Sequence, residues 1–176
     1  KSRQFKFKDQ TRFVNRPMRI FVWYPARKVK TSNYLSFSQY VYAGSLTRNP
    51  SRLSQIEKQE LQNKLAETLD YFKVTAEQVS SLMQAKTQSI ANPKEQKGKF
   101  PLIVLGNAGE GFYYFSTAEY LAANGYVVIS LPSIGASEAE RCGFDLACLN
   151  IQKQDMEFAI KESSKLRNVD STKIGL

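Results

Sequence analysis

Residues 100–131 read FPLIVLGNAGEGFYYFSTAEYLAANGYVVISL, and this stretch decides the predicted fold. It contains two short, nearly all-apolar runs, at 100–105 and 126–131, which are typical of strands covered on both faces in a parallel sheet. Between them, residues 114–123 space apolar side chains along one helical stripe, and Asn124-Gly125 supplies a turn past its end. Strand, glycine loop, helix and strand predict a βαβ unit with a right-handed crossover.

The segment that follows this unit adds a helix and a further strand. Residues 132–150 have the composition of a loop, 151–166 have the apolar spacing of a helix, and 170–176 turn into a strand. A hydrophobic parallel strand at a bare chain end would leave a sheet edge unpaired. We therefore expect an incomplete domain over 1–176, with a missing C-terminal half or a partner chain covering the last strand.

The N-terminal segment holds the whole charge excess of the chain. The formal net charge is +9, and residues 1–30 contain ten Lys or Arg and one Asp, so the remainder is balanced. Charged and apolar residues alternate near 3–8 and 18–24, which predicts two half-buried strands paired as an antiparallel hairpin. Because a solvated strand face accounts for the charge and no RNP-like motif is present, we expect no nucleic acid partner.

Residues 31–97 form a predicted helical insertion. Their composition is rich in Gln, Ser, Lys and Glu, and apolar residues recur at helical spacing. Ser51 and Thr75 are candidate N-caps, the latter with Glu77 in the first turn. The polar stretch at 92–99 predicts a surface linker that returns the chain to the sheet.

The composition excludes several classes of protein. The chain has 176 residues, of which 42% are hydrophobic and 23% charged, as in an ordinary globular protein. No apolar run is long enough for a membrane span, and the basic start leads into no signal-peptide core. Because the chain begins at Lys1 rather than Met, we expect that an upstream segment was removed.

The absence of histidine is the most restrictive feature of the composition. Without histidine the chain cannot complete a Ser-His-Asp triad, a Cys-His dyad or a His-ligated zinc site, so we predict no catalytic residue, metal ligand or cofactor of its own. Cys142 and Cys148 are too far apart in the sequence to form a C-x-x-C motif. The two cysteines could form a disulfide or remain as free thiols in the core. A disulfide, together with a removed leader, would indicate a secreted or periplasmic protein.

The glycine loop, GNAGEG at 106–111, admits three interpretations. It could make only a tight turn, or bind a pyrophosphate as in a dinucleotide-binding domain, although the polar ribose partner expected about 20 residues on is missing. It could also donate backbone N–H groups to an oxyanion during acyl transfer, which favours small residues. Ala108, Gly109 and Glu110 are the candidate donors.

Five motifs in this order resemble the N-terminal half of an α/β-hydrolase: RPMRIFVWYPA, KFPLIVLGNAGEG, AEYLAANGYVVISLPSIGAS, QDMEFAI and VDSTKIGL. Within that fold the chain is similar to the dienelactone hydrolase and platelet-activating-factor acetylhydrolase-like group. The resemblance covers about 1–30 and 98–176.

The resemblance implies that 102–106, 126–131 and 173–176 are the third, fourth and fifth strands, and that the nucleophile elbow follows the fifth. It also implies that the acid and the histidine lie further along the chain. Asn107-Ala108 stands where the family commonly has a histidine-glycine pair.

The resemblance therefore implies that the chain is the N-terminal portion of a serine hydrolase that cleaves carboxylic esters or related acyl bonds. Such a portion would supply the oxyanion loop but not the triad, and would be inactive alone. The alternative is a non-catalytic binding or scaffold module with the same fold. Phe112 and Tyr113 could line an acyl pocket or cap the helix by hydrophobic contact, and Asp155 could pair with a basic side chain or lie on a solvated helix face.

Overall fold

The structure of this chain is a computed structural model that describes residues 4–7, 11–27, 33–44, 50–106, 109–137, 142 and 145–176. Within these ranges it forms eight strands and five α-helices. The strands are β1 (Gln4–Phe5), β2 (Val14–Asn15), β3 (Phe21–Trp23), β4 (Tyr34–Ser36), β5 (Lys86–Ile90), β6 (Phe100–Leu105), β7 (Val127–Ser130) and β8 (Val169–Gly175). The helices are α1 (Phe37–Ala43), α2 (Gln55–Leu69), α3 (Ala76–Gln84), α4 (Phe115–Ala123) and α5 (Leu146–Ser163).

The chain divides into two compact units. The first unit contains Lys1–Lys28 and Pro93–Leu176, and the second contains Val29–Asn92. None of the helices in the described ranges combines the length and the apolar character that a bilayer crossing needs.

The first unit is built on a four-stranded mixed sheet with the order β3-β7-β6-β8. The strand β6 pairs in parallel with β7 on one side and with β8 on the other, whereas β3 pairs antiparallel with β7. The predicted βαβ unit is therefore present as β6, α4 and β7. The α/β class predicted from the sequence is confirmed at this level.

The core of the first unit lies between the sheet and α5. Its apolar cluster draws on three strands and one helix, and Met156 and Ile160 of α5 pack against it. The buried members are Leu102, Val104, Val127, Ile129, Leu131, Ala159 and Val169. Val128 and Ser130, which alternate with Val127 and Ile129 along β7, are also fully buried, so this strand is covered on both faces.

An antiparallel N-terminal pair of strands is present, but the predicted pairing of 3–8 with 18–24 is wrong. The strand β1 pairs with β2 as a separate two-stranded sheet, and β3 joins the main sheet, where Phe21 lies opposite Ser130. The alternation of residue types identified strands but not their partners. Pairing β3 with β7 buries Phe21 and Trp23, whose rings stack 5.8 Å apart, and this burial favours the main sheet over a local hairpin.

The insertion also differs from the prediction of a helical segment at 31–97. The second unit contains α1, α2 and α3 together with an antiparallel pair of strands, β4 and β5. Residues 94–96 belong to the first unit, because the Arg27 N–H donates to the Lys94 carbonyl at 3.0 Å and the Gln96 N–H donates to the Pro25 carbonyl at 2.9 Å. Part of the predicted linker at 92–99 is therefore hydrogen-bonded to the segment that follows β3.

Two of the predicted helix starts are corrected and one is confirmed. Thr75 caps α3 by accepting a hydrogen bond from the Gln78 N–H, but α2 is capped by Ser54 rather than by Ser51. The Ser54 hydroxyl accepts from the Glu57 N–H, and the Glu57 carboxylate accepts from the Ser54 N–H at 2.7 Å. The predicted helix at 151–166 begins earlier, at Leu146, because Asp145 caps it.

The register between β6 and β8 shifts once. Phe100 and Pro101 pair with Val169 and Asp170, and Ile103 then pairs with Gly175, so β8 bulges opposite the proline. Pro101 has no N–H to donate to a neighbouring strand. Within the bulge, the Asp170 carboxylate accepts two hydrogen bonds from Thr172, one from its backbone N–H and one from its hydroxyl. These bonds lower the pKa of Asp170. Beyond the bulge the two strands run parallel to the same edge of the sheet.

The Tyr24 hydroxyl provides a test of how the end of β3 is anchored. It donates to the Pro93 carbonyl at 2.9 Å, and its burial, together with the charge of Glu95, raises the pKa of Tyr24 above 10.0. A raised folded-state pKa means that this stabilisation is complete below pH 10.0 and is lost as the pH rises through the folded-state value. We expect Tyr24→Phe to lower the free energy of unfolding by about 1 kcal/mol at neutral pH.

The measurement is urea denaturation of both proteins at neutral pH and above pH 10.0. The stability of Tyr24→Phe is expected to fall less with rising pH than that of the unmodified chain. Tyr71→Phe is the control, because Tyr71 is 88% exposed. Equal slopes with pH for the unmodified chain and Tyr24→Phe would contradict the account.

Candidate functional site

The described part of the glycine loop lies at the carboxyl edge of the parallel strands. It follows β6 at Gly106, resumes at Gly109, and passes through a turn at 109–114 into α4. Ala108, the first of the three candidate oxyanion donors, lies outside the described residues. Gly109 is exposed and Glu110 is half-buried. Both residues lie in the turn that precedes α4.

Two glycines in the loop have backbone conformations that other residues rarely adopt. The φ angles of Gly109 and Gly111 are +56° and +85°. A Cβ atom at Gly111 would lie 3.0 Å from the Phe21 ring and 3.2 Å from the Pro132 nitrogen, which is closer than ordinary packing allows. A Cβ at Gly109 would lie 2.5 Å from the Tyr113 ring. The loop therefore needs glycine at both positions, for conformation and for space.

The loop after β7 and helix α5 hold the glycine loop in place. The Ser133 N–H donates to the Gly109 carbonyl at 2.8 Å, and the Gln152 side chain of α5 donates to the Ser133 hydroxyl at 2.9 Å. Met156, one turn further along α5, has its methyl group against the α-carbon of Gly106. This helix thus fixes both the start of the glycine loop and its turn.

The two predicted pocket residues differ in burial. Phe112 is 3% exposed and packs edge-on against Phe21, with ring centroids 6.2 Å apart. Tyr113 is 42% exposed and meets the Phe112 ring at 5.3 Å. The Phe112 carbonyl also accepts from the Phe115 N–H at the start of α4. Phe112 therefore anchors the helix start in the core, whereas the Tyr113 ring lies beside Gly109.

A buried ion pair between Asp155 and Arg16, an arginine that the sequence did not single out, lies beside this loop. Arg16 donates to both carboxylate oxygens of Asp155, at 2.8–3.0 Å, and its other N–H groups donate to the carbonyls of Ile134 and Gly135 at 2.8 and 2.6 Å. Arg16 also lies over the Phe5 ring at 5.3 Å. The interaction fixes the loop after β7 to α5 and to the segment after β2.

The sequence held one signal for this pair. Asp155 lies four residues after Ile151 and four before Ala159, so it falls on the apolar stripe of α5 that faces the core. A carboxylate in that stripe requires a buried partner. Of the two interpretations given above, pairing with a basic side chain is the one observed, but the spacing alone does not identify Arg16.

Cys142 and Cys148 form a disulfide, with their α-carbons 5.3 Å apart. Cys148 is buried in the first turn of α5, where its N–H donates to the Asp145 carboxylate at 2.9 Å. The bond ties Cys142 to the start of the helix that supports the glycine loop. Within the described ranges no group of three or more acidic, cysteine or histidine side chains is placed to hold a metal ion.

The Arg16–Asp155 pair can be tested by a double-mutant cycle. Removing one partner leaves a buried charge without compensation, so we expect Arg16→Met and Asp155→Leu each to lower the free energy of unfolding by about 3–5 kcal/mol. The double variant is expected to lose far less than the sum of the two, as measured by urea denaturation.

The control is the exposed pair Lys153 and Glu157 on the same helix, whose charged atoms are 3.9 Å apart. The same cycle with Lys153→Met and Glu157→Leu should give a coupling below about 0.5 kcal/mol. Additive losses for Arg16→Met and Asp155→Leu would show that the two side chains are not coupled.

The chain was compared with family models, with curated proteins and with solved structures. None of the three comparisons found a match.

Proposed function

We propose that this chain supplies the sheet core and the oxyanion loop of a serine hydrolase that cleaves carboxylic esters or related acyl bonds. Backbone N–H groups at Ala108, Gly109 and Glu110 are the proposed donors. The triad is not complete in this sequence, because it contains no histidine. The nucleophile, the acid and the histidine are proposed to lie beyond Leu176.

The adjacency of β6 and β8 is the observation that carries this proposal. The two strands are parallel neighbours, and Ile103 of β6 is in register with Gly175 of β8. The strand β6 continues for two residues past Ile103, to Leu105. The glycine loop therefore begins beside the position that a segment following Leu176 would occupy. In α/β-hydrolases the nucleophile is on a sharp turn after a strand, and one oxyanion donor comes from the loop after an earlier strand. The topology supports such a pairing here.

The geometry of the glycine loop supports the chemistry in two ways. Gly109 has no side chain to block the approach of an acyl carbonyl, and its own carbonyl accepts a hydrogen bond from the Ser133 N–H. Attack of a serine hydroxyl on that carbonyl would place a negative charge on its oxygen, and a preorganised N–H stabilises the charge more in the transition state than in the ground state. Tyr113 beside it offers an apolar surface to the acyl group.

The absence of histidine leads to a first test. We expect the 176-residue chain to hydrolyse p-nitrophenyl acetate no faster than a heat-denatured sample, because it contains no histidine to act as the general base of a triad. The measurement is the initial rate of p-nitrophenol release over a range of ester concentrations. Saturable turnover by the native chain would overturn the assignment of the triad to residues outside this sequence.

A second test uses a longer form of the protein that carries the proposed nucleophile elbow. Gly109→Val should lower kcat for the ester about 100- to 1,000-fold, the usual loss for one oxyanion donor, because the strained residue displaces the loop. Gly125→Ala is the matched control: Gly125 also has a positive φ, +90°, but lies in the turn after α4 with open space around its α-carbon.

A fluorophosphonate probe should label one serine of the longer form. Loss of activity in Gly125→Ala equal to that in Gly109→Val would contradict a specific role of the loop. A longer form that has no labelled serine would indicate a binding or scaffold module instead.

A further inference from the structure

An open pocket lies in the first unit, at the opposite edge of the sheet from the glycine loop. Its volume is about 600 Å³. Residues 94–98 precede β6, residues 167 and 168 precede β8, and Arg27 follows β3, so the pocket lies at the amino-terminal ends of the parallel strands. The six residues of β6 separate the two edges by about 20 Å. We call it the basic pocket.

Cationic side chains dominate the lining of the basic pocket. Arg27, Lys94, Lys97 and Arg167 contribute four positive charges and Glu95 contributes one negative charge. Within the described part of the chain, none of these four cations forms a salt bridge with a carboxylate. Like charges gathered in a concave surface repel one another unless a ligand of opposite charge neutralises them.

Backbone hydrogen bonds fix the walls of the basic pocket. The Arg27 N–H donates to the Lys94 carbonyl, and the Gln96 N–H donates to the Pro25 carbonyl. These two bonds hold the segment at 25–27 against the segment at 94–96. On the other side, the Phe100 N–H donates to the Asn168 carbonyl at 2.9 Å. A site whose walls are already bonded loses little entropy when a ligand enters.

Asn168 adds a neutral polar group to this charged lining. The residue is 5% exposed and lines the pocket. A side-chain NH₂ group can donate a hydrogen bond to an anion. Asn168 therefore adds a neutral hydrogen-bond donor to the cations that line the pocket.

We propose that the basic pocket binds a phosphorylated small molecule. Two guanidinium groups provide the planar, forked donors that suit phosphate oxygens, and two ammonium groups provide the remaining charge. The pocket is larger than one phosphate group, and its net positive charge favours a ligand with two or more negative charges. This site does not depend on the proposed acyl chemistry, because it lies at the other edge of the sheet.

The test is calorimetric titration of sodium pyrophosphate into the 176-residue chain at low ionic strength. We expect one saturable site. Arg167→Gln should weaken binding about tenfold, which is typical for loss of one charge-assisted contact. Asn168→Ala, which leaves the net charge unchanged, should weaken it several-fold, provided that circular dichroism shows a native fold.

Lys153→Gln is the matched control, since it removes the same charge from an exposed site on α5 outside the basic pocket. It should change the affinity less than twofold. The proposal is overturned if pyrophosphate shows no saturable binding, or if Lys153→Gln weakens binding as much as Arg167→Gln does. Binding of a single-stranded oligonucleotide but not of pyrophosphate would overturn it too, in favour of a nucleic acid surface.

Discussion

The contact between Arg16 and Asp155 is the constraint on which the carboxyl edge of the sheet depends. One guanidinium group, almost excluded from water, satisfies a carboxylate of α5 and two carbonyls of the loop after β7. A charge in such a place is stable only when its partners are in position. The loop after β7, the segment after β2 and the middle of α5 are therefore fixed relative to one another. Neighbouring residues extend this arrangement to the glycine loop, through Gln152 and Ser133.

The two edges of the sheet have different chemical character. At the carboxyl edge, the glycine loop has aromatic neighbours, Phe21, Phe112 and Tyr113. At the amino-terminal edge, arginine and lysine side chains surround an open pocket. A neutral acyl compound suits the first environment and an anion suits the second. The sheet thus separates two proposed functions that would interfere with each other in a single cleft.

The sequence predicted those parts of the fold that depend on local patterns. The apolar runs of β6 and β7, the stripe of α4 and the Thr75 cap are each determined by residues within a turn or two, and all are observed. Partner choice is not local, so the pairing of β3 with β7 was missed. The start of α5 was missed because Asp145 was assigned to a loop, although Asp followed by apolar residues is a capping pattern.

The candidate site was predictable only in part, for the same reason. The glycine loop follows from its sequence, but the support it receives from Ser133 and Gln152 depends on contacts between distant segments. The most direct measurement is a crystal structure of a longer form of the protein, carrying the proposed elbow, after reaction with diethyl p-nitrophenyl phosphate. The covalent phosphoryl group stands in for the tetrahedral intermediate. The account predicts that its oxygen lies about 2.7–3.1 Å from a backbone nitrogen of the glycine loop. An adduct whose oxygen points away from that loop, toward solvent or another segment, would contradict it.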